Sequence, residues 1–359
     1  MTLQKMWTRL VGGSGWDFPN NVTIGQNDFV YLLGYANGTI DGQSYGGDGD
    51  AFIAKYTSEG DRLWTRLSGM SSYEFANYAI EASNGLTYLT GFTTSDSNGQ
   101  NNPLTENAFV TKYKSDGEKI WSLVIDSSNW NSWHHLITVT NESIYIAGET
   151  TYDLDSQTNN GGTDTFIVKY NSDGVKEWTR LFGTSSHDNP YSITAAADGS
   201  ILVVGSTTGS IEGENNIGEE DVFIARYNSS GTKVWTQLIG STSYDAPSFV
   251  AIASDGAVYL AGNTAGNLYG QTNNGDQDAF LIKYNTDGTK AWSQLIGSSS
   301  KDDAISITVG IDGSCYLVGY TYGVSEGRGT GKGYGSYFVS KLNSEGTEQW
   351  REYLLEYSN

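Results

Sequence analysis

YSITAAADGSILVVGSTTGSIEGENNIGEEDVFIARYNSSGTKVWTQLIG, residues 191–240, reads as four strands: YSITAAAD, SILVVGST, VFIARYN and TKVWTQLIG. Asp198-Gly199 closes the first pair, because a tight type I′ turn needs positive φ at positions that Asx and Gly tolerate. A second turn, ending at Gly231, joins the third strand to the fourth, and a Gly-, Asn- and Glu-rich loop joins the second to the third. The second strand is apolar at successive positions, as a strand covered on both faces should be. The fourth sets Trp and Leu against Thr and Gln, the pattern of an outer strand with one wet face.

The unit recurs along the whole chain. Trp7, Trp64, Trp121, Trp178, Trp235 and Trp292 stand at one constant spacing, and Trp350 follows one residue late. Phe52, Phe109, Phe166, Phe223, Phe280 and Phe338 keep step, as do the cations at 55, 112, 169, 226, 283 and 341. Asp50, Asp164, Asp221 and Asp278 stand two residues before that Phe, where the second copy has Asn107 and the sixth Ser336. No segment carries a sustained helical period with caps. Six copies of a four-stranded antiparallel unit predict an all-β, six-bladed β-propeller. The expected blades are residues 13–69, 70–126, 127–183, 184–240, 241–297 and 298–355 of a single domain, 1–359. Seven Trp strands against six units leave residues 4–11 over, and these are expected to close the ring beside blade six.

The motifs DGAVYLAGNT, DAFLIKYNTDGTKAW and DAFIAKY resemble the bacterial SBBP type of β-propeller repeat. That resemblance covers essentially the whole chain and implies the scaffold; it carries no common activity. It also implies a bacterial protein of surface or secreted assemblies, although MTLQKMWTRLVGGSG has no signal-peptide pattern.

A net charge of −21 excludes a nucleic-acid partner by repulsion from the phosphates. The lone cysteine, Cys315, allows no internal disulfide and reads as an inert strand residue. No stretch approaches the ~20 apolar residues of a membrane span, so no membrane insertion is expected.

In an up-and-down blade both short turns share one end, and the long second-to-third loop shares the other with the crossover to the next blade. Loops such as NTAGNLYGQTNNGDQ offer oxygen ligands of the kind calcium takes. None has EF-hand or RTX spacing, so plain polar loops without a cofactor are expected, with calcium as the alternative. The crossovers carry more chemistry. Nine residues after the periodic Trp stand Trp16, Tyr73, Trp130, His187, Tyr244 and Lys301; next to them stand Asp17, Glu74, Asn131, Asp188, Asp245 and Asp302. Trp133 lies in the same connector as Trp130. Aromatic faces stack on sugar rings and neighbouring carboxylates accept hydroxyl hydrogen bonds, so a ligand surface is expected at Trp16, Asp17, Tyr73, Glu74, Trp130, Trp133, His187, Asp188, Tyr244 and Asp245. The same acids suit a second role, fixing the turn through backbone N–H groups.

Three functions fit. The first is non-catalytic recognition of carbohydrate or a cell-surface polymer through the loop face. The second is a protein-interaction scaffold in a larger bacterial assembly, and the third a hydrolase or lyase. The near-equivalence of the blades argues against catalysis, as does the lack of metal-ligand spacing among His134, His135 and His187. Oligomeric state and ligand identity are not encoded in the pattern.

Overall fold

The computed structural model describes residues 7–69, 72–95, 100, 107–125, 136–140, 143–196, 198–211, 213–322 and 335–354. Among these the only helical element is a 3-10 turn, Gln26–Asp28. All else regular is strand, in six four-stranded antiparallel sheets. Blade one is β1 (Trp16–Ile24), β2 (Val30–Asn37), β3 (Asp50–Tyr56) and β4 (Arg62–Ser68). Blade two is β5 (Glu74–Glu81), β6 (Thr87–Thr93), β7 (Asn107–Tyr113) and β8 (Lys119–Ile125). Blade three is β9 (Leu136–Val139), β10 (Ser143–Thr150), β11 (Asp164–Asn171) and β12 (Lys176–Phe182). Blade four is β13 (Asp188–Ala195), β14 (Ile201–Thr207), β15 (Asp221–Tyr227) and β16 (Lys233–Ile239). Blade five is β17 (Asp245–Ile252), β18 (Val258–Thr264), β19 (Asp278–Tyr284) and β20 (Lys290–Ile296). Blade six is β21 (Asp302–Val309), β22 (Cys315–Thr321), β23 (Ser336–Leu342) and β24 (Glu348–Leu354). These are the blades of the six-bladed propeller class that the Trp period predicts.

The packing falls into two compact units, residues 1–146 with 169–177, and residues 147–168 with 178–359. Within each, the core lies between successive blades. In the first unit, Tyr31, Leu33, Ile53 and Trp64 of blade one pack on Ala76, Ala79, Leu89 and Phe109 of blade two. In the second, Leu202, Val204, Ile224 and Ile239 meet Val250, Val258, Leu260 and Phe280. Burying such side chains supplies the driving force, about 25 cal/mol per Å² of apolar surface.

A repeated seat joins the blades. Trp64 Nε1 donates to Ser115 O (3.0 Å) in the next blade, and Arg66 Nε donates to Gly117 O (2.6 Å). In the second unit, Trp178 and Arg180 do the same to Ser229 O (3.2 Å) and Gly231 O (2.6 Å). Trp235 bonds Thr286 O (3.2 Å) and Trp292 bonds Ser344 O (2.9 Å). Each indole lies flat on a turn glycine held at positive φ: a Cβ on Gly117 or Gly288 would stand 2.8 Å from the ring of Trp64 or Trp235. The third blade lacks this seat, since Trp121 Nε1 is buried without a partner and its ring stands 3.9 Å from a Cβ on Gly174; Lys112 Nζ instead ties segment 169–177 to the first unit at Ser172 O (2.6 Å).

Of the expected closing strand, residues 4–6 lie outside the described residues. Residues 7–11 form no strand. Trp7 Nε1 donates to Ser58 O (2.8 Å) and Arg9 Nε to Gly60 O (2.7 Å), so this segment takes on blade one the seat that Trp64 takes on blade two.

A second column binds third strand to second. Lys55, Lys112, Lys169, Lys283 and Lys341 each place Nζ over the ring of a β2-type tyrosine, at 5.1, 5.5, 5.8, 5.3 and 5.2 Å for Tyr31, Tyr88, Tyr145, Tyr259 and Tyr316. Lys55 is only 2% exposed and its charge is met by Glu81 of blade two at 2.9 Å. Blade four departs at both positions, with Leu202 and Arg226.

Two glycines of like conformation separate backbone strain from ring contact. Gly270 (φ 78°) has open space where a Cβ would go, whereas Gly288 (φ 85°) lies under Trp235. Gly270→Ala should cost about 1 kcal/mol for the left-handed backbone alone. Gly288→Ala should cost a further ~1–3 kcal/mol through overpacking. Urea unfolding of the two variants measures the difference; equal losses would mean the indole seat is slack.

Candidate functional site

The crossover acids and aromatics occupy different environments. Asp188 and Asp245 are fully buried, and Asp302 nearly so. Asp188 Oδ2 accepts from Thr184 N (2.6 Å) and Thr184 Oγ1 (2.9 Å). Asp245 Oδ2 accepts from Ser241 N (2.6 Å) and Ser241 Oγ (2.8 Å), and Asp302 repeats the pattern on Ser298. Asp17 accepts from Gly13 N (2.7 Å); Glu74 accepts from Ser72 Oγ (2.9 Å) and Thr93 Oγ1 (2.7 Å). Buried Glu74, Asp188 and Asp245 therefore staple their own turns and present no face to a ligand.

A second set of acids starts the third strands. Asp50 accepts from Gly46 N (3.0 Å), Asp164 from Asn160 N (2.9 Å), Asp221 from Ile217 N (2.8 Å) and Asp278 from Asn274 N (2.9 Å). One oxygen each of Asp164, Asp188, Asp221, Asp245 and Asp278 is buried without a hydrogen-bond partner. Loss of water raises the Asp50 carboxyl to about 6, with Glu74 adding to the rise. Burial likewise raises Asp164, Asp221 and Asp278, each with an added push from the crossover acid of the next blade, Asp188, Asp245 or Asp302. Glycine is needed beside them: a Cβ on Gly240 would fall 2.1 Å from Asp221 Oδ1.

The aromatics form surfaces within each unit. In the first, Trp16 is 76% exposed and lies 6.1 Å from Phe18, which lies 6.3 Å from Tyr35. Tyr35 lies 4.8 Å from Tyr73 in a tilted contact and stacks with Phe75 at 6.4 Å, and both reach Phe92, at 5.9 and 5.5 Å. One continuous run of six rings thus crosses blades one and two at their loop end. A β-bulge between Pro19 and Asn21, opposite Gly34, sits directly after Phe18, and the same irregularity recurs after Ala76, Pro190, Pro247 and Ala304. Proline, lacking an N–H, is tolerated at such a point.

In the second unit, Tyr320 meets Tyr322 at 5.0 Å and Tyr337 at 4.9 Å, with Tyr322 and Tyr337 exposed. Farther along, His187 bonds Thr163 Oγ1 through Nδ1 (3.2 Å). Exposed Tyr191 and Tyr244 both feel the Glu220 charge, and burial raises both hydroxyls. Burial also raises the Glu149 carboxyl, opposed by His187.

Trp130 and Trp133 lie outside the described residues, as do Asn131, His134 and His135. Phe18, Tyr35, Phe75 and Phe92 were not singled out by the spacing argument. The signal for Tyr35 and Phe92 is the position just after the second-strand glycine, which reads Tyr35, Phe92, Glu149, Ser206, Asn263 and Tyr320 down the repeats, while Phe18 and Phe75 stand eleven residues after a periodic Trp. Among the described residues no three His, Cys, Asp or Glu side chains group as a metal set, and no helix is long and apolar enough to cross a membrane.

Family models match parts of this framework: the SBBP β-propeller repeat over residues 177–212, and a β-propeller domain of unknown function over 143–177 and 196–233. Residues 177–212 thus match an SBBP-type β-propeller repeat. It is 25% identical over 300 residues to the regulatory protein FlaEY of Caulobacter vibrioides, covering 74% of this chain and 31% of that one. It is 23% identical over 256 residues to an uncharacterized WD repeat-containing protein, L264, of Acanthamoeba polyphaga mimivirus, covering 54% of this chain and 18% of that one. The chain spans less than a third of the length of either relative. Among solved structures, an ulvan lyase bound to -[GlcA(1-4)Rha3S]- aligns with a TM-score of 0.51 at 13% identity, covering 96% of this chain and 86% of that one. That likeness shows the fold alone.

Asp50, Asp164, Asp221 and Asp278 give a signed pH dependence. Their carboxyls titrate higher folded than unfolded, so the stability they contribute is full below the unfolded value, near 4, and is lost as pH rises through the folded one, about 6 for Asp50. Asp50→Asn places there the residue blade two already has, Asn107, whose Nδ2 donates to Ser95 O (2.8 Å). Thermal melting at neutral pH should rise in Asp50→Asn, and the gain on acidification should shrink relative to the parent. A variant that melts lower, with an unchanged pH profile, would show Asp50 to be charged and well satisfied.

Proposed function

We propose that these blades bind carbohydrate without catalysis, through the aromatic surfaces at the loop end of each unit. The observation that carries this reading is the six-ring run from Trp16 to Phe92. Large aromatic groups in water are costly to expose unless a partner covers them. The exposed faces of Trp16 and Phe18, backed by the rest of the run, suit the C–H faces of sugars, and each such contact contributes about 1 kcal/mol beyond area burial. In the second unit, Glu149 and Glu220 beside Tyr191 and Tyr244 favour a neutral glycan, since they accept hydroxyl hydrogen bonds and repel uronic acids. Several shallow sites on one chain raise affinity for a polymer through avidity.

A glycan array of the parent against Trp16→Ala and Tyr244→Ala tests this. Retention of a neutral glycan, with a loss of about tenfold in Kd for Trp16→Ala, is expected. No glycan retained, together with a stable protein complex by light scattering, would favour the scaffold reading instead.

A further inference from the structure

Blade four breaks the Lys–Tyr column, and a cavity lies where it breaks. In blades one and five the tyrosine hydroxyl spans to the next blade: Tyr31 Oη meets Thr87 Oγ1 at 3.2 Å, and Tyr259 Oη donates to Gly313 O at 2.9 Å. Gly313 belongs to the first turn of blade six; the matching residue of blade five, in register with Leu202 as Gly313 is with Tyr259, is Gly256. Leucine carries no ring and no hydroxyl to reach it. Beside that turn lies an open cavity of about 540 Å³, lined by Ala195, Arg226, Ile252, Ala253, Asp255 and Gly256 among others, while Leu202 itself is fully buried and does not line it. Its size falls within the ~300–1,000 Å³ of small-molecule sites.

Arg226 is built into this cavity. It is 8% exposed; Nη1 donates to Thr286 O (3.0 Å), as Lys283 donates to Ser344 O, and Nη2 donates to Ser200 Oγ (2.9 Å). Asp198 adds its carboxylate 3.7 Å away. The cation of the column is thus kept and fixed in place, while the ring it covers in five other blades is gone.

We infer that this cavity, at the turn end of blades four and five, takes a small phenolic ligand whose ring lies against Arg226 in place of the missing tyrosine. Apolar Ala195, Ile252 and Ala253 wall the ring, the guanidinium supplies the cation–π contact, and the Asp198 and Asp255 carboxylates accept from hydroxyl groups. An open cavity with partly apolar walls and a fixed cation suits a ring that also bears a hydroxyl. This site is separate from the loop-end aromatic surfaces and does not depend on the carbohydrate reading.

The probe is p-cresol, the tyrosine side chain itself, with cyclohexanol as a ring of similar size but no π face. Titration followed by methyl NMR should give saturable binding with shifts at Ile252 and Ala253, and cyclohexanol should bind at least about fivefold more weakly. Leu202→Tyr should restore the column, melt no lower than the parent, and lose at least about tenfold in p-cresol affinity. Arg226→Lys, the residue of the other blades, should fold and weaken binding while leaving the ring site open. No saturable p-cresol binding by the parent would overturn the inference, as would shifts away from blades four and five or an undiminished affinity in Leu202→Tyr. If Leu202→Tyr does not fold, the location of the shifts and the Arg226→Lys affinity decide.

Discussion

The structure depends on one contact, an indole laid on the positive-φ glycine of the next blade's turn. Its N–H is satisfied by the carbonyl two residues before that glycine, as in Trp64 on Ser115 and Gly117. A four-stranded sheet cannot bury both faces alone, so the blades need neighbours. The seat sets the register between them: the ring lies flat only where Cβ is missing, and the partner carbonyl is available at one place. Arg66 and Arg180 then bond the glycine carbonyl itself, so each turn is held at two points. The seat on Gly60 is filled by Trp7, which precedes the first blade.

Because that seat and the Lys–Tyr column repeat, departures from them become informative. The loop end varies freely since its length does not enter the seat, and there the rings of blades one and two join into a run. The turn end is held by the seat, and a cavity lies beside the turn next to the one blade that abandons the column, with Leu202 and Arg226.

The blades were legible in the sequence because the Trp spacing, the Asx-Gly turns and the strand patterns all report one unit. The exposure of two candidate aromatics was legible too: Trp16 and Tyr244 are exposed at the positions the spacing singled out. The burial of the acids was not. Asp188 and Asp245 follow a Thr or Ser by four residues, and that hydroxyl and backbone N–H fold the carboxylate inward. Residue spacing alone does not distinguish an inward carboxylate from an exposed one. Tyr35 and Phe92 were missed for a related reason: they sit in strands that read as core, and only the sheet's end position brings their edges to Tyr73. The Leu202 and Arg226 departures were visible as letters, but their meaning required knowing that the tyrosine spans to the next blade's turn.

The seat is tested most directly by native-state hydrogen exchange in Trp235→Ala. The amides of Asn285, Gly288 and Thr289 belong to blade five, and the turn they form is closed by Asn285 N to Thr289 O and Gly288 N to Asn285 O. If the indole of blade four holds that turn, these amides exchange faster together in the variant, although the substitution lies in another sheet. Faster exchange confined to blade four, with the blade-five turn as protected as in the parent, would contradict the account.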